Sequence, residues 1–127
     1  MSLPKTLPLL MLAVTASACG HPVKRQLEGR WFGEAVENFE QRELPAATGW
    51  ARGVSFEFAG ETLTVSVPAE EPRSAPYRIA SVQRNDVRLS VQRTTGETDA
   101  VRFRLDDERS MRWMLDDHHA VVLRREE

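Results

Sequence analysis

The sequence predicts an all-β fold: a small antiparallel up-and-down β-barrel of about eight strands, preceded by a cleaved signal peptide. Three observations lead there. The chain has 127 residues, enough for one domain with one modest core. From residue 27 onward apolar and polar side chains alternate with a period of two, as in strands that bury one face. Short turn signals interrupt the alternation often enough for hairpin connections throughout. Pairing the first strand with the last would close such a meander and remove its exposed edges. A two-sheet β-sandwich is the alternative, because it has the same periodicity.

Residues 1–18 read as the targeting segment. Lys5 supplies a minimal positive start, and Leu7, Leu9, Leu10, Met11, Leu12, Ala13 and Val14 form an apolar run. That run is roughly half the length of a membrane-spanning helix, so a cleaved signal fits better than an anchor helix. Ala16-Ser17-Ala18-Cys19 follows, and this stretch resembles the lipobox of bacterial lipoproteins. The resemblance implies cleavage before Cys19 and acylation of its thiol, palmitate being a typical chain, with the bilayer as partner. The third position before Cys19 is Ala16, where the family usually carries Leu. An ordinary secretory signal cut after Ala18 is the other reading. Gly20 stands after the cysteine instead of Asp, which in such lipoproteins favours the outer membrane. The expected organisation is a signal peptide over 1–18, a lipidated tether over 19–26 and a β-barrel domain over 27–127.

Within that domain the first strand is expected over about 29–36 and the second over 54–58, with Val54, Phe56 and Phe58 on one face. Glu34, Glu37, Glu40 and Glu43 recur every third residue between them, so one or two helical turns before Pro45 fit this weakest stretch. After the Ala59-Gly60-Glu61 turn, strand three (62–67) aligns Leu63, Val65 and Val67. A loop over 68–76 leads to strand four, 77–82, with Tyr77 and Ile79 inward. Strand five follows the Asn85-Asp86 turn with Val87, Leu89 and Val91 inward. Strand six carries Val101, Phe103 and Leu105 inward, strand seven Met111, Trp113 and Leu115, and strand eight spans 120–124. Side chains of this size come close to filling a barrel of eight short strands; a small apolar cavity is the alternative.

Gly29-Arg30-Trp31, opening this meander, resembles the Gly-x-Trp at the first strand of lipocalins and related calycin barrels. The resemblance implies that Trp31 closes one end of the barrel under an arginine of the last strand, Arg124 or Arg125. It also implies that a small apolar ligand could occupy the interior. The 109 residues left after the signal are far fewer than a usual lipocalin has, and no helix follows the last strand.

Charge and chemistry narrow the function. Lys and Arg number 17 against 19 Asp and Glu, a formal −2. Loss of Lys5 with the signal leaves 16 bases against 19 acids, a formal −3, so bulk charge gives no case for nucleic acid. One cysteine excludes an internal disulfide and any zinc site needing two thiolates. Arg78, Arg88, Arg102, Arg104, Arg112 and Arg124 fall on the outward face of their strands, while the acids lie at or beside turns. This girdle is either a solvated sheet face or a surface for an anionic partner such as a phosphorylated lipid, a glycan or an acidic protein. Asp116-Asp117-His118-His119 has metal-ligand residue types, with Glu70 and Glu71 expected at the same end. Adjacent turn residues diverge, however, so a polar turn is the plainer reading and no metal is expected. No nucleophile elbow, His-Glu-x-x-His or glycine-rich phosphate loop occurs, so no catalytic residue and no cofactor is expected. The expected function is a non-catalytic binding or scaffold module of the cell envelope, lipid-anchored at the outer membrane, with an unidentified envelope protein, glycan or lipid as partner. A lipocalin-like carrier of a small apolar ligand and a periplasmic enzyme inhibitor are the alternatives.

Overall fold

The computed structural model describes residues 22–126; the signal peptide and Cys19 lie outside them. The chain forms a closed barrel of eight antiparallel strands, each paired with its neighbours in sequence. The strands are β1 (Gly29–Glu37), β2 (Ser55–Ala59), β3 (Thr62–Ser66), β4 (Arg73–Gln83), β5 (Asp86–Gln92), β6 (Thr98–Leu105), β7 (Ser110–Met114) and β8 (Ala120–Arg125). Pairing of β1 with β8, from Trp31 opposite Arg125 to Glu37 opposite Ala120, closes the cylinder. Closure decides the architecture against a sandwich, because no strand of the sheet is left with an unpaired neighbour.

The inward faces follow the period-two pattern. Val54, Phe56, Phe58, Leu63, Val87, Leu89, Phe103 and Met111 are buried, and so are Val121 and Leu123 of β8. Aromatic rings form a continuous edge-to-face series: Tyr77 on Phe58 (5.4 Å), Phe58 on Phe103 (5.9 Å), Phe103 on Phe56 (5.2 Å) and Phe56 on Trp113 (5.1 Å). Such contacts add to the gain from burial alone. Leu115 departs from its expected place. It lies beyond the end of β7 in the turn and is exposed.

Two helices differ from the expectation drawn from sequence. Residues 22–26, the end of the expected polar tether, form helix α1 (Pro22–Leu27) together with Leu27, which is buried while Val23 packs on the core. These two residues are four apart and therefore share one face. The second helix, α2 (Leu44–Ala51), begins where Pro45 was expected to end helical structure. Proline suits the first turn of a helix, where its missing N–H has no intrahelical acceptor. The periodic glutamates do not form the helix: Glu34 and Glu37 belong to β1. Helix α2 sits on β1 through a glycine. A Cβ built on Gly33 would lie 1.8 Å from the Ala51 carbonyl oxygen, so only glycine permits this approach. The Gly33 N–H donates to the Val54 carbonyl at 2.9 Å, and the β1–β8 register shifts there by one residue.

Candidate functional site

The barrel has two unlike ends. At one end lie α1, the chain's last strand residues and the β2–β3, β4–β5 and β6–β7 turns. Here the Trp31 indole N–H donates to the Leu27 carbonyl at 2.9 Å, and the Arg125 guanidinium lies 4.3 Å over the indole ring. Arg125 also donates to the carbonyls of Glu108 (2.8 Å), Glu28 and Gln26. One planar fork therefore ties α1, the start of β1 and the β6–β7 turn together over a buried tryptophan. Of the two arginines weighed for this position, Arg125 takes it. Arg124 points outward and pairs with Glu34 at 2.9 Å. Strand alternation explains the difference, since Val121, Leu123 and Arg125 share the inward parity.

The other end carries α2 and the three remaining loops. Trp50 of α2 stacks on Trp113 at 6.0 Å, covering the side of the opening next to β1 and β7. No helix among the described residues covers the opposite side, and there the barrel wall opens into a cleft of about 1030 Å³. The opening has a local cause. The β4–β5 ladder begins at Tyr77 opposite Val91, although β4 itself starts at Arg73 and pairs with β3 over Arg73–Pro76. Pro76 has no N–H to give to β5, and the two strands part at that residue. Strand four was expected to begin only at Tyr77. Residues 73–76, the end of that expected loop, are strand bonded on one side, and 68–72 remain loop.

The cleft floor is apolar and the rim charged. Leu63, Val65, Ala75, Val91 and Val101 line the interior; Arg73, Arg93 and Asp99 stand at the mouth. Arg93 holds Asp99 in a two-pronged bond, Nε to Oδ2 at 2.7 Å and Nη2 to Oδ1 at 2.6 Å. Those hydrogen bonds depress the Asp99 pKa and raise that of Arg93. Arg73 makes only a long contact with Glu70, 3.7 Å between exposed side chains. The sequence reading missed Arg73, Arg93 and Asp99. The available signal was charge at inward-parity positions, two residues from Ala75, Val91 and Val101.

The arginine girdle does not behave as one surface. Arg102 pairs with Asp117 (3.0 Å), Arg104 with Asp86 (2.9 Å), Arg112 with Asp106 (2.8 Å) and Glu37 (3.4 Å), and Arg124 with Glu34. The side chains of Arg78 and Arg88 have no hydrogen-bond or ion-pair partner among the described residues. In the β7–β8 turn the Asp116 carboxylate accepts from the backbone N–H groups of His119 (2.6 Å) and His118 (2.7 Å) and contacts His119 Nδ1 at 2.9 Å. These contacts, led by the His119 N–H, hold the Asp116 pKa far below the usual carboxylate range. Among the described residues no three His, Cys, Asp or Glu side chains gather as a metal site. The chain matches no family model, no curated protein and no solved structure.

Proposed function

We propose that this chain is a lipid-anchored, non-catalytic binding module of a bacterial cell envelope, whose ligand site is the cleft between β4 and the β5–β6 hairpin. The single observation that carries the reading is that cleft: an apolar interior reached through a charged rim, opened where Pro76 interrupts the sheet. Sites for small apolar molecules share this make-up, a mostly apolar concavity with a few polar groups at its edge. The ligand class is a molecule with an alkyl or acyl chain, as a lipocalin-like carrier would take.

The lipobox-like Ala16-Ser17-Ala18-Cys19 supports the anchor. Cys19 is three residues from Pro22, the first residue of α1, and three residues span at most about 10 Å. Acylated Cys19 would thus hold the closed end at the bilayer, with the cleft mouth at the far end. Outer-membrane placement follows from Gly20 by the same resemblance.

Two measurements test the two halves of the proposal. Titration with the fluorophore N-phenyl-1-naphthylamine should saturate at one site and be competed by decanol. Val101→Phe, which fills the cleft, should weaken it at least tenfold with the melting temperature nearly unchanged. Absence of saturable binding to the wild-type chain would falsify the cleft reading. Separately, Cys19→Ser should move the chain from the membrane to the soluble fraction; unchanged partitioning refutes the anchor.

A further inference from the structure

The outward face of β4, β5 and β6 carries an arrangement that the cleft does not involve. The β4–β5 register shifts between Ile79 and Ser81, and the extra residue turns Ser81 and Gln83 outward beyond the bulge. Two cross-strand rows result. One runs Ser81, Arg88, Arg102 and the next Gln83, Asp86, Arg104. Ser81, Gln83, Asp86, Arg88 and Arg102 line a shallow pit of about 120 Å³.

The charges in these rows are not balanced. Arg88 stands directly opposite Arg102, and like charges at opposed positions destabilise a sheet. Asp86, the only carboxylate lining the pit, is engaged by Arg104 at 2.9 Å. The acid that meets Arg102 is Asp117, on the β7–β8 turn with its side chain 95% exposed, and such a pair contributes little. Arg88 has no side-chain partner among the described residues. Two guanidinium groups, a serine hydroxyl, a glutamine amide and the Asp86 carboxylate already held by Arg104 thus border a space large enough for one tetrahedral oxyanion and too small for a sugar or an acyl chain.

We propose that this pit is a phosphate site, in which Arg88 and Arg102 share one phosphate group and Ser81 and Gln83 supply further donors. Arginine forks match phosphate oxygens two at a time, and the bound anion removes the repulsion between the facing guanidiniums. The pit lies a few residues from the Arg84–Asn85 turn, at the same end of the barrel as α1. The phosphate can therefore belong to a lipid headgroup or be free in solution.

The test uses the full chain carrying Cys19→Ser, so that acylation does not itself bring it to membranes. Inorganic phosphate, titrated against chloride at matched ionic strength, should shift the amide resonances of Ser81, Arg88 and Arg102 saturably in nuclear magnetic resonance spectra. Arg88→Ala should weaken this binding at least tenfold. Arg78→Ala removes the same charge from another unpartnered exposed arginine and should leave it within twofold. No saturable shift, or equal weakening by both substitutions, overturns the proposal. Vesicles containing phosphatidylglycerol identify the source. Sedimentation of the Cys19→Ser chain and of its Arg78→Ala variant but not of its Arg88→Ala variant assigns a headgroup; saturable phosphate binding without sedimentation assigns a free phosphate.

Discussion

Within one closed sheet, the strands β1, β2, β7 and β8 enclose a packed apolar interior, whereas β4 and β5 part at one end to open a cleft bordered by β3 to β6. On the first side Trp31, Phe56, Met111, Val121 and Leu123 are buried. Its ends are covered by α1 with Arg125 and by α2 with Trp50. On the second side Leu63, Val87, Leu89 and Phe103 are buried, but Val65, Val91 and Val101 at the cleft are only partly buried, and the connections are short loops. The difference follows from where the chain places its helices and its large side chains. Tryptophan and phenylalanine fill the covered side, Tyr77 and Phe103 fill the closed end of the other, and valine and alanine at the inward positions nearer its open end leave space. Period-two alternation produces both sides alike, so it determines the barrel without determining whether the barrel is full.

If the covered side bears most of the stability, truncation there must cost far more than truncation at the cleft. Trp31→Ala removes a buried ring, its bond to the Leu27 carbonyl and the platform under Arg125. The expected loss is about 3–5 kcal/mol. Val101→Ala shortens a side chain that already borders the cleft, and about 1 kcal/mol or less is expected there. Urea denaturation of the two variants measures both. Losses of similar size would break the distinction between the two sides.

The seat of α2 offers a second, smaller test on the same side. Gly33→Ala places a Cβ against the Ala51 carbonyl oxygen, where it cannot fit without moving backbone. Overpacking of this kind costs about 1–3 kcal/mol. It should also displace Trp50 from Trp113, which a red shift and loss of tryptophan fluorescence quenching would register. Gly49→Ala, in the same helix with open space around its Cβ, should instead be neutral or stabilising. A Gly33→Ala variant with wild-type fluorescence and midpoint would mean that the helix seat is not tight.

The strands were legible because each carries its own alternation, and the eighth brings Val121 and Leu123 inward as its pattern requires. The two prolines were not. Each reads locally as a stop, yet Pro45 occupies the first turn of α2, where no N–H is needed, and Pro76 lies within β4 on the side that has no partner strand. A proline's meaning depends on which of its neighbours needs a donor, and that is a tertiary fact. Helix α1 was hidden because six residues with only Val23 and Leu27 on one face give too little periodicity to detect. The cleft left a fainter mark, the charges of Arg73, Arg93 and Asp99 at inward parity. Arg88 and Arg102 were legible as members of the outward girdle, but not the pit they border with Ser81 and Gln83, which depends on a register shift at Ala80 that alternation alone does not reveal.

The smallest expected effect contrasts two exposed carboxylates, one on each side of the barrel. Asp99, at the cleft, is held by the side chain of Arg93; Asp116, beside the covered side, is held chiefly by backbone N–H groups. Both have folded-state pKa values below the unfolded value of about 3.9. Each therefore contributes stability that is fully present above that value and is lost as pH falls below it toward the folded pKa. The structural consequences should differ. Protonating Asp116 releases the N–H groups of His118 and His119, so amide-exchange protection at these two positions should hold above about pH 4 and fall only as the pH drops below about 3.9 toward the folded pKa, after correction for intrinsic rates. Asp116→Asn should lower that protection and flatten its pH dependence. Protonating Asp99 frees only a side chain, so Asp99→Asn should leave backbone protection in β6 unchanged while loosening Arg93 at the cleft mouth. If Asp99→Asn instead exposed the β6 amides, the rim would be part of the wall, and the cleft would be held open by that ion pair as well as by Pro76.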